Sequence, residues 1–155
     1  MNKTNAMRQL DKAKIPYQAL EYEVDENDLS GVHVAAQIGV PVEQVFKTLV
    51  ARGEKKGIMV FCIPAAREIN LKKAAAAVGD KKIEMVHVKD LLGLTGYIRG
   101  GCSPIGMKKK YPTYMDESLK EHEEITISAG VRGCQLKVNA AALADFVGAV
   151  LCSLT

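Results

Sequence analysis

A glycine-rich segment has the composition most suggestive of a ligand site. It reads Gly100-Gly101-Cys102-Ser103-Pro104-Ile105-Gly106. Glycines beside a proline force a tight backbone, and the amides of such a backbone can face a ligand. The spacing imitates a P-loop, but Met107 and Lys109 stand where that motif requires Lys and Ser or Thr, so we exclude a P-loop. A purely structural turn is the alternative.

Two cationic side chains lie in contexts that suit ligand recognition. Lys47 begins a predicted strand inside an apolar stretch, residues 45–51. Such a lysine either extends to solvent or points into a pocket as a charge donor. Arg132 lies in Ser128-Ala129-Gly130-Val131-Arg132-Gly133. An arginine on this kind of turn suits phosphate or carboxylate recognition, although a solvated turn explains it equally well.

A run of three lysines, Lys108-Lys109-Lys110, follows the glycine-rich segment. Runs of this kind are usually solvated, but beside a ligand loop they also suit sequence-independent attraction to a phosphate backbone. The chain has 21 Lys and Arg against 18 Asp and Glu, a net charge of +3. Because that balance neither requires nor excludes nucleic acid, local clustering must decide.

The remaining reactive residues do not form a familiar catalytic or metal-binding pattern. Ser103 is not in a G-x-S-x-G motif, and no C-x-x-C pair is present, which favours reduced thiols. The histidines and cysteines are scattered, at His33, His87, His122, Cys62, Cys102, Cys134 and Cys152. We therefore expect no metal and no cofactor. Cys102, inside the glycine-rich segment, is the obvious candidate for an enzyme-borne nucleophile.

Helices and strands alternate along the chain, as the periodicity of apolar residues and the capping residues predict. The predicted helical segments are residues 4–14, 32–38, 71–78, 90–92 and 140–151. The predicted strands are residues 17–24, 46–52, 58–63, 82–88, 96–99, 113–115, 125–128 and 134–138, with a hairpin loop at 53–57. No linker divides the 155 residues. We expect one domain over residues 1–155, of mixed α/β (α+β) class, with a mixed, barrel-like sheet flanked by helices.

The composition is that of an ordinary globular protein, with 48% hydrophobic and 25% charged residues. No stretch approaches the roughly 20 apolar residues needed to span a membrane. Residues 1–14 carry Lys3, Arg8, Asp11, Lys12 and Lys14, so they lack the uncharged core of a signal peptide. These observations predict a cytoplasmic protein.

Three motifs together resemble the YbaK-type Cys-tRNA(Pro) deacylases, whose superfamily includes the editing domain of bacterial prolyl-tRNA synthetase. They are Val45-Phe46-Lys47-Thr48-Leu49, the glycine-rich segment 100–106, and the segment 128–133. They occur in the family's order, with the Leu71-Lys72-Lys73 helix between the first two. The resemblance covers nearly the whole chain.

The resemblance implies a pocket for the aminoacylated 3′ end of a tRNA. Lys47 matches the family's essential lysine, and Gly100 and Gly101 match the glycine pair that lines the reacting ester. The other matching pocket positions are Tyr22, Thr48, Ser103, Pro104, Ser128, Gly130 and Arg132. Three positions depart from relatives: a loop aromatic is replaced near Leu29 or Ser30, Phe46 is often tyrosine, and Gln135 stands where some members carry an acid. The departures bear on selectivity.

The resemblance also implies a reaction, a substrate and a partner. Family members use the thiol of the substrate as nucleophile and cyclise the aminoacyl group off the ribose, without a cofactor. The implied substrate is tRNA(Pro) carrying cysteine, and prolyl-tRNA synthetase is the implied partner that supplies tRNA specificity. A deacylase for another mischarged tRNA, such as Ala-tRNA(Pro), and a non-catalytic tRNA- or nucleotide-binding regulator are the alternatives. Whether Lys47 contacts the 3′ nucleotide or the ester carbonyl stays open.

Overall fold

The computed structural model describes residues 2–155. Its α-helices, each of eight residues, are α1 (Asn5–Lys12), α2 (Gly31–Ile38), α3 (Leu71–Val78), α4 (Val88–Thr95) and α5 (Ala140–Val147). Its strands are β1 (Tyr17–Glu21), β2 (Phe46–Gly53), β3 (Gly57–Pro64), β4 (Ile83–Met85), β5 (Thr113–Asp116), β6 (Glu124–Ser128), β7 (Cys134–Asn139) and β8 (Val150–Cys152). Short 3-10 helices occupy Val42–Gln44 and Glu117–Glu121.

Side-chain caps begin four of the five α-helices. The oxygen of each cap accepts a hydrogen bond from the amide three residues further on, which satisfies a donor that has no partner inside the helix. The four caps are Thr4, Ser30, Asn70 and Asn139. The predicted starts of α1, α3 and α5 are therefore confirmed.

The strands form two sheets rather than one. A five-stranded sheet has the order β4-β2-β3-β5-β8, and a three-stranded sheet has the order β1-β7-β6. The predicted hairpin joins β2 to β3, whereas β5 pairs in parallel with β3 and with β8. An isolated parallel bridge between Val45 and Thr126 connects the sheets. The expected mixed α/β domain is confirmed, and the bridge gives its two sheets a barrel-like continuity.

The five-stranded sheet packs apolar clusters on both faces, since Cys62 of β3 belongs to one cluster and Phe61 to another, whereas the three-stranded sheet has its core on one face. On the three-stranded sheet, Ile127 and Leu136 are fully buried and belong to the same apolar cluster as Leu10 of α1 and Leu143 of α5. Successive strand residues point to opposite faces. The neighbours of these apolar residues, among them Ser128 and Gln135, therefore point away from the cluster.

The predicted strand at residues 96–99 is wrong. Helix α4, expected only as a turn at 90–92, runs from Val88 to Thr95, and Gly96 ends it in a left-handed conformation with φ of 86°. The buried hydroxyl of Thr95 donates to the Leu91 carbonyl and accepts from the Tyr97 amide. Those bonds turn the chain, so residues 96–99 do not pair with a strand.

Other predicted elements end earlier than expected. The strand predicted at 82–88 ends at Met85, and α4 begins at Val88. The helix predicted at 4–14 ends at Lys12. The last helix ends at Val147 rather than at 151, because Gly148 adopts a left-handed conformation with φ of 67°. The following Val150–Cys152 then forms β8 beside β5. The first strand ends at Glu21 rather than at 24, and the Tyr22 amide still donates to the Gly133 carbonyl at 2.9 Å.

The glycine-rich segment packs directly onto the backbone after β6. A Cβ added to Gly101 would lie 3.1 Å from the Val131 carbonyl carbon and 3.2 Å from the Arg132 nitrogen. The Gly101 amide donates to the Ile98 carbonyl at 2.9 Å, and the Tyr97 hydroxyl donates to the Ile105 carbonyl. This close approach requires glycine and fixes the segment against the three-stranded sheet.

We predict that Gly101→Ala destabilises the fold. The new methyl group meets backbone atoms that cannot rotate away, so the free energy of unfolding should fall by about 1–3 kcal/mol, as for other overpacked sites. The matched control is Gly93→Ala in α4, where an added Cβ has no neighbour within 4 Å and alanine favours the helix by up to about 1 kcal/mol. Urea denaturation measures both; a Gly101→Ala variant as stable as the parent contradicts the account.

The buried Cys62 thiol predicts a loss of stability in alkaline solution. Complete burial raises the pKa of Cys62 to about 12, whereas an unfolded thiol ionises near pH 8.5. The folded chain keeps this proton longer, so the stabilisation is complete below about pH 8.5 and is lost as the pH rises towards 12.

We therefore expect the free energy of unfolding to fall above about pH 9, by up to about 1.4 kcal/mol per pH unit for each such thiol. Urea denaturation of the parent and of Cys62→Ala at several pH values tests this. The variant should be less stable near neutral pH but should lose stability less steeply above pH 9. Parallel slopes would show that this thiol is not responsible.

Candidate functional site

A cavity of about 520 Å³ opens where the two sheets separate along β2. Strand β4 pairs with β2 only at Ala51–Gly53, and the Val86 amide extends that contact to the Val50 carbonyl. At the other end, Val45 bridges to Thr126 of β6. Within residues 2–155, the part of β2 between these points has no strand partner on that edge. The cavity occupies this gap.

The charged side chains of the cavity are predominantly cationic. Lys47 lies on β2 with 30% of its side chain exposed, and its Nζ is 3.6 Å from Oε1 of Glu68. Glu68 is 93% exposed, so solvent screens this pair and the carboxylate is free to move away. Arg99 also lines the cavity. This electrostatic environment favours an anionic ligand.

Polar groups from three strands form one wall. Ser128 of β6 and Gln135 of β7 are directly opposite each other in the sheet, and Tyr22 and Thr48 line the same cavity. Gln135 is 7% exposed, and its Oε1 is buried without a hydrogen-bond partner among residues 2–155. Because a buried acceptor without a partner is costly, this atom is positioned to accept a hydrogen bond from a ligand.

The glycine-rich segment supplies a second wall through Gly100. This residue has φ of 84°, and a Cβ placed on it would lie 3.2 Å from Arg132 Nε and 3.4 Å from Leu29 Cδ1. Its amide donates no backbone hydrogen bond within the described part of the chain, whereas that of Gly101 is bound to Ile98. Gly100 is thus the member of the pair with a free donor beside the cavity.

Half of the residues predicted for the site line the cavity, namely Lys47, Thr48, Gly100, Tyr22 and Ser128. The other five lie around it. Ser103 is fully buried, and its oxygen accepts from the Ile105 amide; Gly130 lies beneath the Tyr97 ring. Arg132 donates through Nε to the Arg99 carbonyl at 2.9 Å. Gly101 packs against the backbone of Val131 and Arg132, and Pro104 lines a different cavity.

Cys102 lines the cavity but is unsuited to act as a nucleophile. It is 9% exposed, and burial raises the pKa of its thiol to about 12, against a smaller opposing effect of a hydrogen bond to Thr95. Thiolate is the reactive form, and catalytic cysteines have a lowered pKa. Near neutral pH this side chain is therefore a protonated, apolar-like part of the wall.

A group of apolar side chains in the cavity lining was not predicted from the sequence. It includes Val32 at the start of α2, Met85 at the end of β4, and Val88 and Leu91 on α4. Val88 is 63% exposed and Val32 is 53% exposed, although both side chains are apolar. The missed signal is the apolar face of α4, whose helix was expected to be only one turn.

The described residues hold no cluster for a metal. Within residues 2–155, no group of three His, Cys, Asp or Glu side chains is arranged to hold an ion. The same part of the chain contains no helix with the length and apolar character to cross a membrane.

Comparisons of the sequence with family models and with known proteins agree on one family. The model of the aminoacyl-tRNA editing domain matches residues 29–146. A protein of Enterococcus faecalis with the provisional name Cys-tRNA(Pro)/Cys-tRNA(Cys) deacylase EbsC is 46% identical over 153 residues, which cover 99% of this chain and 93% of the relative. A proline–tRNA ligase of Thermosipho melanesiensis is 32% identical over 106 residues, 61% of this chain and 18% of the ligase.

Solved structures share the whole fold. A crystal structure described as a candidate trans-editing enzyme for prolyl-tRNA synthetase superposes with a TM-score of 0.82 at 25% identity, covering 97% of this chain and 92% of the other. The protein APE2540 superposes with a TM-score of 0.85 at 19% identity over 95% and 96% of the two chains. The match to the family model, the relative 46% identical over almost the full length, and the shared fold show that this chain belongs to the aminoacyl-tRNA editing domain family.

Proposed function

We propose that this chain deacylates Cys-tRNA(Pro), using the substrate's own thiol as nucleophile. The observation that carries the proposal is a single cavity shared by Lys47, Gly100 and Ser128, whose lining thiol, Cys102, is protonated. The site thus has groups that bind and polarise an ester but no activated nucleophile of its own. The relative named for Cys-tRNA(Pro) and Cys-tRNA(Cys) deacylation supports the choice of cysteine.

The proposed reaction is an intramolecular acyl transfer. The cysteinyl sulfur attacks the ester carbonyl carbon, the bond from that carbon to the ribose oxygen breaks, and the ribose oxygen takes the proton released by the thiol. The product is a cyclic thioester of cysteine, which water opens to the free amino acid. Since nucleophile and electrophile belong to one molecule, the protein contributes mainly orientation, exclusion of water and charge stabilisation.

Lys47 and the Gly100 amide are the groups best suited to stabilise negative charge. The Lys47 side chain is 30% exposed and lies beside a weakly held carboxylate, so a ligand oxygen can replace Glu68 as its partner. The Gly100 amide is a fixed donor on the facing loop. We assign the ester carbonyl oxygen, on which the negative charge develops, to the Gly100 amide, and that same oxygen or the terminal ribose–phosphate to Lys47. The other predicted positions, Tyr22, Thr48, Ser103, Pro104, Ser128, Gly101, Gly130 and Arg132, line the pocket or support it.

Gln135 is suited to bind the α-amino group of the esterified cysteine. Its buried Oε1 has no hydrogen-bond partner among residues 2–155, and an α-ammonium group is the strong donor that every aminoacyl ester carries. The neutral amide accepts this hydrogen bond without adding a negative charge near the ester. A carboxylate at the same place would oppose the charge that develops on the carbonyl oxygen.

The biological need follows from the limits of apolar recognition. Cysteine and proline are close in volume, and an apolar pocket discriminates such near-isosteres by only about 1–3 kcal/mol. A second site that destroys the wrong product restores accuracy. We propose that residues 1–155 act as one such domain in the cytoplasm, and that prolyl-tRNA synthetase presents the mischarged tRNA(Pro), because the small cavity reads only the aminoacylated end.

The first test is deacylation of a panel of purified aminoacyl-tRNAs. We expect rapid release of cysteine from Cys-tRNA(Pro), and far slower release of serine from Ser-tRNA(Pro), because a hydroxyl is a much poorer nucleophile than a partly ionised thiol. Cys102→Ala should keep most of the parent activity.

Each failure in this panel has a distinct meaning. Preferred release of alanine from Ala-tRNA(Pro) would replace the proposed substrate, and binding without turnover would identify a regulator. A folded but inactive Cys102→Ala, or a covalent aminoacyl adduct on Cys102 detected by mass spectrometry, would move the nucleophile from the substrate to the enzyme.

The second test concerns Lys47. Lys47→Ala removes one charge-assisted contact in a half-buried site, which costs about 1.5–3 kcal/mol and corresponds to a loss of about 10- to 150-fold in kcat/KM. The control is Lys82→Ala, an exposed lysine that pairs with Glu84 at 3.1 Å and should retain parent activity. Single-turnover deacylation measures both, and circular dichroism checks folding. A Lys47→Ala variant within about threefold of the parent contradicts the assignment.

A further inference from the structure

A second cavity lies on the other side of the glycine-rich segment. Its volume is about 300 Å³, at the lower end of the range of small-ligand pockets. Pro104 and Ile105 form one wall, and Tyr111 and Phe146 add aromatic surface. Neither Lys47 nor Gly100 lines this cavity.

The side chains of this cavity combine aromatic surface with positive charge. Lys109 and Lys110 contribute to its lining, and none of the lining residues is acidic. The Tyr111 ring is held in place, because its hydroxyl donates to the Leu94 carbonyl at 2.7 Å. Aromatic rings on which bases stack, next to lysines that attract phosphates, are the usual means of binding single-stranded nucleic acid without reading its sequence.

The glycine-rich segment connects the two cavities. Gly100 and Cys102 line the first cavity, whereas Pro104 and Gly106 line the second. Residues two to six positions apart are separated by at most about 7–21 Å of extended chain. A single strand whose last nucleotide enters the first cavity therefore needs to extend by only a few nucleotides to reach the second.

We propose that the second cavity binds an upstream nucleotide of the single-stranded 3′ end whose terminal nucleotide occupies the first cavity. Its base stacks against Tyr111 and Phe146, and its phosphates contact Lys109 and Lys110. This proposal rests on the proposed function for the identity of the RNA as an aminoacylated tRNA. It extends the recognition of that tRNA beyond the terminal nucleotide.

Lys108 provides a matched control within the same run of lysines. It does not line the cavity; its Cγ lies 3.2 Å from where a Cβ on Gly96 would be, and its amide donates to the Thr95 carbonyl. The three lysines are all exposed. The proposal therefore requires that Lys109 and Lys110 contribute to RNA binding and that Lys108 contributes little.

The experiment measures binding of an uncharged RNA hairpin that ends in a tRNA acceptor stem and its single-stranded 3′ end. Fluorescence anisotropy at several salt concentrations compares the parent with Lys109→Ala/Lys110→Ala and with Lys108→Ala. Each lost phosphate contact lowers the slope of log K against log salt by about 0.7, so the double variant should lose about 1.4. Lys108→Ala should keep the parent slope. Equal slopes for all three proteins would overturn the proposal.

Photocrosslinking tests the position of the base directly. Hairpins carrying 4-thiouridine at the second, third or fourth nucleotide from the 3′ end are irradiated with the parent, and crosslinked peptides are identified by mass spectrometry. At least one position should label the peptide containing Tyr111 or that containing Phe146; crosslinks confined to other peptides would overturn the proposal. The uncharged hairpin carries no aminoacyl ester, so these binding experiments do not depend on deacylation, which the aminoacyl-tRNA panel measures. The proposal for the second cavity and the proposed deacylase activity can therefore fail independently.

Discussion

The backbone at Gly101 lies against the backbone of Val131 and Arg132, with no space for a side chain between them. This contact joins the glycine-rich segment to the turn after β6, and with it the two loops that carry most of the predicted site. From that fixed point, Gly100 and Cys102 face one cavity and Pro104 faces the other. Because both cavities share this wall, a change in its position would alter the two together.

The gap along β2 is the second constraint on the site. Strands β4 and β6 approach β2 at different ends, and the cavity forms between them because neither covers the middle. Lys47 comes from β2 itself, so a paired strand positions it. Regular strands hold a functional side chain more precisely than loops do. The glycine-rich loop then needs to supply only backbone groups, and these depend less on side-chain rotamers.

The positions of the charged side chains indicate the ligand better than the net charge of the protein does. The net charge of +3 would not by itself indicate a nucleic-acid partner. Lys47 and Arg99 nevertheless line the first cavity, with Glu68 as the acidic neighbour, and Lys109 and Lys110 line the second. The proline–tRNA ligase relatives match this chain over less than a fifth of their own length. The family sequence thus also occurs as a small part of much larger enzymes.

The sequence by itself determined the starts of α1, α3 and α5, the β2–β3 hairpin and the three motifs, because each depends on residues close together in the chain. It did not determine the extent of α4, which is longer than the predicted turn, or the end of α5, where left-handed Gly148 stops the helix before the apolar pattern ends. Only the tertiary structure decided which motif residues line the cavity. Gly101 and Ser103 satisfy neighbouring backbone groups, whereas the Gln135 side chain has an acceptor without a partner in the described part of the chain. It also decided that the Cys102 thiol is not activated, since burial by residues distant in sequence raises its pKa rather than lowering it.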